Sequence, residues 1–235
     1  MKKNLLFLDV SMSTIWAIFI VTLLLLSNFA PMPQTPLPAF PGAEGFGSLT
    51  LGGRGGQILF VTNTNDSGAG SLRAALTASG PRVIIFKVGG LASLLTAIEV
   101  INPYVTIAGQ TAPGMGFAIK NCPIRIKTHD VIMRGLKFRH GDDPASCSLD
   151  IRDGLALSSS NAYNVIVDHN SIAWGVDENV QTWDAPHDVT FSWNISTEAL
   201  NCSIYNGECR SMGWLTGEHT RNVSIHHNLI ANNSD

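Results

Sequence analysis

The chain has 235 residues, of which 45% are hydrophobic and only 14% are charged, and it contains 22 glycines. This length accommodates one ordinary domain with an N-terminal appendage, and so low a charge content leaves room for few helices with solvated charged faces. The formal net charge of −3, from 15 Lys and Arg against 18 Asp and Glu, excludes a general nucleic-acid or membrane-surface binder that works through a basic field.

The N-terminus has the order of a secretory signal. Lys2 and Lys3 supply positive charge, and residues 13–30 carry no charge at all. We therefore predict a signal peptide over residues 1–30 and a secreted protein. A membrane anchor formed by residues 13–30 is the alternative, because about 18 apolar residues is near the lower limit for spanning a bilayer. The prolines of residues 31–41 predict an extended linker.

From residue 42 to residue 235, short β-branched runs alternate with Gly, Asn, Asp and Pro. Successive runs begin about 22 to 34 residues apart, as expected when each repeat makes one coil of a solenoid. The runs are residues 83–86, 105–107, 131–133, 165–167, 189–191 and 223–225. Hairpin signals are too isolated for a sandwich or a propeller. The pattern predicts an all-β domain over residues 42–235, a right-handed single-stranded parallel β-helix.

The last three repeats can be superimposed, and each ends in an asparagine. Their sequences are NVIVDHN, DVTFSWN and NVSIHHN. Asn170, Asn194 and Asn228 then occupy the same place in successive coils, where stacked amides bond to one another and to the bent backbone. We interpret this ladder as architectural.

The four cysteines, Cys122, Cys147, Cys202 and Cys209, form no CxxC pair, so a zinc ribbon or a thioredoxin-like site has no support. Export favours disulfides. Cys202 and Cys209 are close enough to close a local loop, and Cys122 with Cys147 can bridge neighbouring turns. Free buried thiols are the alternative for the second of these pairs.

Acidic residues concentrate on two consecutive coils. They are Asp150, Asp153, Asp168, Asp177 and Glu178, with His169 beside Asp168. Strands of adjacent coils lie about 4.8 Å apart, so carboxylates that point the same way can share one hard cation such as Ca²⁺. The sequence has no EF-hand loop, so a calcium site must be assembled between coils.

Several motifs, in order, resemble the polysaccharide lyase family that contains the pectate lyases. They are FPGAEGFG (40–47), GGRGG (52–56), NDSGAGSLRAAL (65–76), IAGQTAPG (107–114), VIMRGLKFRHGDD (131–143) and VIVDHNSIAWGVDE (165–178). The resemblance covers about residues 40 to 235. It implies a parallel β-helix and a calcium-dependent β-elimination on pectate or pectin, an acidic plant polysaccharide. It implies no partner protein and no nucleic acid, and we expect a monomer.

The resemblance assigns roles residue by residue. Asp153 and Asp177 resemble calcium ligands, and Glu178 joins or replaces Asp177. Gln181 stands where the family often has a second acid, which weakens the predicted metal affinity. Arg210 stands near a family lysine or histidine that touches the substrate carboxylate, and His227 is a second basic candidate for substrate binding. Asp168 and His169 resemble a structural pair. Candidates for a sugar-stacking platform, with packing between coils as the alternative, are Trp174, Trp183, Trp193 and Trp214.

The resemblance places the catalytic base, an arginine in an R-x-P-R stretch, immediately after the position of Asp235. The sequence therefore assigns no catalytic residue, and we expect a chain that lacks the C-terminal coils of the family. A non-catalytic β-helix that binds acidic glycan, or a surface protein, is the alternative function. A polygalacturonase-type hydrolase ranks last, because its paired acids in an N-T-D, D-D and G-H-G arrangement are missing.

Overall fold

The computed structural model describes residues 11–27, 36–143, 147, 153–203 and 209–234. The chain divides into two compact units, Met1–Pro36 and Leu37–Asp235. The first unit contains helix α1 (Met12–Ser27), which falls within the predicted signal segment. The basic start of that segment and residues 31–35 of the predicted linker lie outside the described residues. Within the described ranges, no helix is both long and apolar enough to cross a membrane.

The second unit is built from short strands with one short α-helix, α2 (Leu72–Thr77), and a 3-10 turn (Gly109–Thr111). In chain order the strands are β1 (Gln57–Val61), β2 (Arg82–Phe86), β3 (Gly90–Ser93), β4 (Ile98–Val100), β5 (Val105–Ala108), β6 (Phe117–Lys120), β7 (Ile124–Ile126), β8 (Val131–Arg134), β9 (Leu136–Arg139), β10 (Leu155–Ser158), β11 (Tyr163–Asp168), β12 (Ser171–Ala173), β13 (Val180–Trp183), β14 (His187–Ser192), β15 (Ile195–Thr197), β16 (Leu215–Thr216), β17 (Arg221–His226) and β18 (Leu229–Ala231).

These strands form three parallel sheets that the chain visits in turn. Sheet A has the order β1-β2-β5-β8-β11-β14-β17, sheet B the order β18-β15-β12-β9-β6-β3, and sheet C the order β16-β13-β10-β7-β4. Each coil runs from sheet A to sheet B to sheet C, and we call the turns between them the A–B, B–C and C–A corners. The predicted right-handed parallel β-helix is confirmed.

The six β-branched runs of the sequence are successive strands of sheet A, from β2 to β17. Parallel register places like residues above one another inside the coil. One such row contains Val105, Val131, Val165 and Val189, all fully buried. Burial of each valine stabilises the coil by roughly 1.5–3 kcal/mol relative to an exposed position. The apolar interior therefore sets the register from coil to coil.

The predicted asparagine ladder is confirmed at the A–B corner. The Asn194 Oδ1 accepts from the backbone N–H and the Nδ2 of Asn170, at 2.9 and 3.1 Å. The Asn228 Oδ1 accepts in the same way from Asn194, at 2.8 and 3.0 Å. The Asn194 Nδ2 also donates to the Val167 carbonyl at 2.9 Å. The ladder thus satisfies backbone groups that the tight turn leaves unpaired.

Replacing Asn194 with alanine should lower the free energy of unfolding by about 2–3 kcal/mol, because two buried backbone groups lose their partners. The measurement is chemical denaturation of the two purified proteins. Asn65 is exposed, so Asn65→Ala is the matched control and should change the free energy of unfolding by less than about 0.5 kcal/mol. Equal stability of the two variants would contradict the structural role of the ladder.

A glycine-rich segment, residues 45–53, crosses the outside of sheet A, and we call it the glycine strap. The Gly47 N–H donates to Thr190 Oγ1 and the Gly53 N–H to Thr106 Oγ1, both at 2.9 Å. A Cβ on Gly47 would overlap the Val165 carbonyl, and a Cβ on Gly53 would overlap a carbonyl of β2. The FPGAEGFG and GGRGG motifs therefore supply the backbone clearance that lets this segment lie against the sheet.

Helix α2 packs on the first coils through Leu72, Ala75 and Leu76, which are buried. Its N-cap Ser71 accepts from the Ala74 N–H at 3.2 Å, as N-cap serines do. Beyond its C-terminus lies Arg82, whose side chain is fully buried. Arg82 donates only to backbone carbonyls in the described hydrogen bonds, those of Ala75, Leu76, Gly80, Asn102 and Pro103. One buried guanidinium thus joins the helix to two neighbouring turns.

Both cysteine pairs proposed from the sequence are disulfides. Cys122 is bonded to Cys147, and Cys202 is bonded to Cys209. The interpretation as disulfides is confirmed, and the alternative of free thiols is wrong. The first bridge joins two successive coils, because Cys122 lies between β6 and β7 and Cys147 between β9 and β10, and Cys122 is fully buried.

Candidate functional site

Three acids meet at the B–C corner. Asp153 precedes β10, and Asp177 and Glu178 precede β13 on the next coil. The Gly154 N–H donates to the Glu178 carbonyl at 2.8 Å, which fixes the two corners in register. All three side chains are buried, and one carboxylate oxygen of each lies within 4.8 Å of the others. The structure therefore brings together the three predicted metal ligands, which we call the acid cluster.

Burial strongly changes the ionisation of this cluster. Burial, together with the hydrogen bond and charge of Asp153, raises the pKa of Glu178 to about 9. Burial also raises the pKa of Asp153, although a hydrogen bond from Glu178 acts in the opposite direction. Glu178 therefore keeps its proton near neutral pH and donates it to the Asp153 carboxylate. The cluster holds more carboxyl groups than it can ionise without an added positive charge.

Arg210 supplies one positive charge to the cluster. Its Nη1 donates to both carboxylate oxygens of Asp177, at 3.0 and 3.3 Å. The segment that carries Arg210 continues onto the next coil, where Met212 pairs with Glu178 in a parallel bridge. Predicted from the sequence as a substrate ligand, Arg210 thus contacts one of the predicted metal ligands. An arginine in this place can bind a carboxylate of either the protein or a ligand.

The donor set of the acid cluster fits a calcium ion. Calcium binds oxygen at 2.3–2.6 Å, so two ligands of one ion lie up to about 5 Å apart, and the 4.8 Å spacing of the cluster satisfies this limit. Three carboxylates leave several of the 6–8 positions for other oxygens. Gln181, in place of the expected second acid, donates from Nε2 to Glu178 Oε2 at 3.3 Å. It is therefore positioned beside the cluster without adding charge.

The acid cluster opens into a groove of about 250 Å³ on the outer face of sheet C. The lining residues are Arg125, Lys127, Asp153, Ser158, Asp177, Gln181, Trp183 and Asp184. Arg125 and Lys127 come from β7 and the position after it, two coils before the acids of β13. Both approach Glu99, Lys127 at 2.7 Å and Arg125 at 3.9 Å. Sequence reasoning missed these two basic residues, which only the strand register connects with the acids.

His227 lies elsewhere on the coil. It belongs to the A–B corner, where its ring stacks on Trp193 with centroids 4.3 Å apart, and Trp193 faces His169 at 5.9 Å. The structure does not bring His227 together with the acid cluster. Its predicted role in substrate binding therefore has no support from the groove geometry.

The neighbouring Asp168 has structural contacts. It is buried and accepts from Arg134 Nε at 2.7 Å and from Ser192 Oγ at 2.8 Å, with His169 Nδ1 at 2.6 Å. These contacts join three successive coils, in agreement with the structural interpretation of the Asp168–His169 pair. Asp150, the remaining acid of the sequence cluster, lies outside the described residues.

Fold and site together define a parallel β-helix with a buried acid cluster that opens into a partly basic groove. Known proteins have sequences similar to that of this chain. Probable pectate lyase C of Aspergillus fumigatus is 37% identical over 212 residues, 89% of this chain and 47% of that protein. Probable pectate lyase C of Emericella nidulans is 36% identical over 200 residues, and pectate lyase 1 of Cryptomeria japonica is 31% identical over 177 residues. These matches cover 85% and 65% of this chain, and 44% and 45% of the two relatives.

The chain belongs to the pectate lyase family, and it spans about half the length of the curated relatives that it matches. No protein-family model matches the chain. Among solved structures, Jun a 1, the major allergen of cedar pollen, aligns with a TM-score of 0.49 and 21% identity. That alignment covers 75% of this chain and 58% of Jun a 1.

Proposed function

We propose that the protein is a secreted, calcium-dependent pectate lyase that cleaves polygalacturonate or pectin by β-elimination. The observation that carries this proposal is the acid cluster, three buried carboxyl groups that open into a groove with Arg125 and Lys127. The names of the curated relatives support the same reaction class.

The groove is suited to an acidic polysaccharide only when a cation is bound. Polygalacturonate carries one carboxylate on each sugar, and the acids of the groove repel it. A calcium ion in the acid cluster would supply positive charge that polarises the substrate carboxyl group and acidifies the proton at the adjacent carbon. Asp153, Asp177 and Glu178 would hold that ion, with Gln181 beside them.

The side chains of the protein contribute orientation and charge. Arg210 keeps Asp177 in place through its two hydrogen bonds, and Arg125 and Lys127 add positive charge along the groove. Substrate carboxylates paired with these groups would be oriented relative to the acid cluster. The base that removes the proton remains the arginine implied by the family resemblance, and none of the described residues is assigned to that role.

The first test is a matched pair of variants. Asp177→Asn removes a charged member of the acid cluster and should weaken calcium binding at least about tenfold, with a parallel loss of calcium-dependent polygalacturonate binding. Asp184→Asn removes an acid from the same groove but not from the cluster, and should bind calcium like the wild type. Titration calorimetry measures calcium affinity, and sedimentation with insoluble polygalacturonate measures substrate binding.

Turnover is measured separately. A form of the protein that includes the arginine implied as the base should release unsaturated sugars, which absorb in the ultraviolet, when it is incubated with polygalacturonate and calcium at pH values on both sides of about 9. Product formation that does not depend on calcium would contradict the proposal. Calcium-dependent binding without product would instead support the alternative of a non-catalytic glycan-binding β-helix.

Secretion is part of the same proposal. Two disulfides support it, since such bonds persist in oxidising compartments, and so does the apolar helix α1. Expression of the full chain in a secreting host should yield mature protein in the medium without residues 1–30. Protein retained in the membrane fraction with residues 13–30 intact would favour the anchor. We also propose a monomer, which sedimentation velocity tests directly.

A further inference from the structure

Trp183 lies in the groove beside the acid cluster. It ends strand β13, pairs in register with Ser158 of the preceding coil, and lines the same groove as Asp153 and Asp177. Its side chain is 39% exposed although it faces a concave surface. Trp214, by contrast, packs against the buried Phe191 with ring centroids 4.6 Å apart. Trp183 is thus a large apolar surface within an otherwise polar groove.

Gly217 makes this position of the indole possible. Its N–H donates to the Thr182 carbonyl at 2.8 Å, which places it on the coil directly after Trp183. A Cβ on Gly217 would occupy the space of Cε3 and Cζ3 of the Trp183 ring. The six-membered ring of the indole therefore lies over the backbone of the next coil. A glycine here supports the ring where any side chain would displace it.

We propose that Trp183, supported by Gly217, is a sugar-stacking platform that binds the apolar C–H face of one pyranose ring of an acidic polysaccharide. This inference rests on the proposed function, because it names the residue that binds the uncharged part of the same substrate. The sugar bound on Trp183 sits beside the acid cluster, within the same 250 Å³ groove. Lys127 lines the opposite part of that groove and is available to the sugar carboxylate when it leaves Glu99.

The charges of the groove explain why such a platform is needed. Its lining has three acids against two basic side chains, and both basic side chains approach Glu99, so charge attracts a polyanion only after a cation binds, and salt screens that attraction. Contact between an aromatic ring and a sugar face depends on buried apolar area and is insensitive to salt. The contribution of Trp183 should therefore be the same at low and high ionic strength.

The experiment measures binding of a galacturonate tetrasaccharide to the full chain by titration calorimetry with calcium present, at low and at high salt. Trp183→Ala should weaken binding about tenfold at both salt concentrations. Trp183→Phe should recover part of the loss. Gly217→Ala, which leaves the tryptophan in the sequence but moves its ring, should also weaken binding several-fold.

Trp174 provides the matched control, because it has similar exposure, 41%, but does not line the groove. Trp174→Ala should bind the tetrasaccharide like the wild type, and thermal unfolding of each variant verifies the fold. Unchanged affinity in Trp183→Ala, with normal wild-type binding, would overturn the platform and leave the proposed function intact. If the wild type did not bind the tetrasaccharide, both the Trp183 platform and the proposed function would be overturned.

Discussion

Arg82→Met is expected to lower the free energy of unfolding by about 3–5 kcal/mol. The guanidinium is fully buried and donates to five carbonyls, at distances from 2.7 to 3.2 Å. Methionine fills much of the volume but leaves these carbonyls without donors, and each buried unpaired carbonyl costs about 1–3 kcal/mol before relaxation. Denaturant titration of the two proteins measures the difference.

Two further variants separate hydrogen bonding from charge. Arg82→Lys keeps the charge with fewer donors, so its stability should fall between those of the wild type and Arg82→Met. Arg54 is exposed and donates to the Pro38 carbonyl, so Arg54→Met should cost less than about 1 kcal/mol. If Arg82→Met lowered the free energy of unfolding no more than Arg54→Met does, then contacts other than those of Arg82 would hold α2 and the adjacent turns together.

Without metal, the protein should lose stability as the pH rises from about 4.5 to about 9. In the folded chain the pKa of Glu178 is raised from 4.5 to about 9, so between these values the folded state binds a proton that the unfolded state has released. Linkage then makes the free energy of unfolding fall with rising pH. The raised pKa of Asp153 acts in the same direction.

Glu178→Gln removes this titration while keeping a donor for Asp153. Its melting temperature, measured with a chelator present, should match the wild type at low pH and exceed it increasingly towards pH 9. Glu218 is exposed, and Glu218→Gln should follow the wild-type curve. Parallel curves for Glu178→Gln and the wild type would contradict the assignment of the retained proton to Glu178.

Calcium affinity has the opposite dependence on pH. A calcium ion binds the ionised carboxylates, so the affinity of the wild type should increase as Glu178 loses its proton near pH 9. Added calcium should then restore the stability that the metal-free protein loses.

Sheet A was predictable and the other two sheets were not. The strands of sheet A carry consecutive β-branched residues, so their repeat is visible in the sequence. A strand such as Ser171–Ala173 in sheet B has three residues of mixed polarity, and it pairs because sheet A fixes the stacking of the coils. The asparagine ladder was predictable because its members follow the visible strands at a constant interval.

The candidate site was predictable in part. The repeat showed a group of acids on two consecutive coils, and the family resemblance then identified Asp153 and Asp177 among them as calcium ligands. Lys127 was not found, because it lies about 50 residues before Asp177 and only the register connects them. His227 was grouped with the groove because it is basic. It directly follows β17, however, and every residue that directly follows a strand of sheet A lies at the A–B corner. The repeat itself therefore contains the information that separates His227 from the acids.

The glycine strap has a consequence for how this fold can change in evolution. Residues 46 and 53 bond to strands β17 and β5, which are four strand spacings or about 19 Å apart. Seven residues of extended chain reach about 23 Å, so the strap has little slack. The length of the strap therefore limits the number of coils that can lie beneath it. Gain or loss of one coil within this stretch would require a compensating change in strap length, whereas coils beyond it are free to vary.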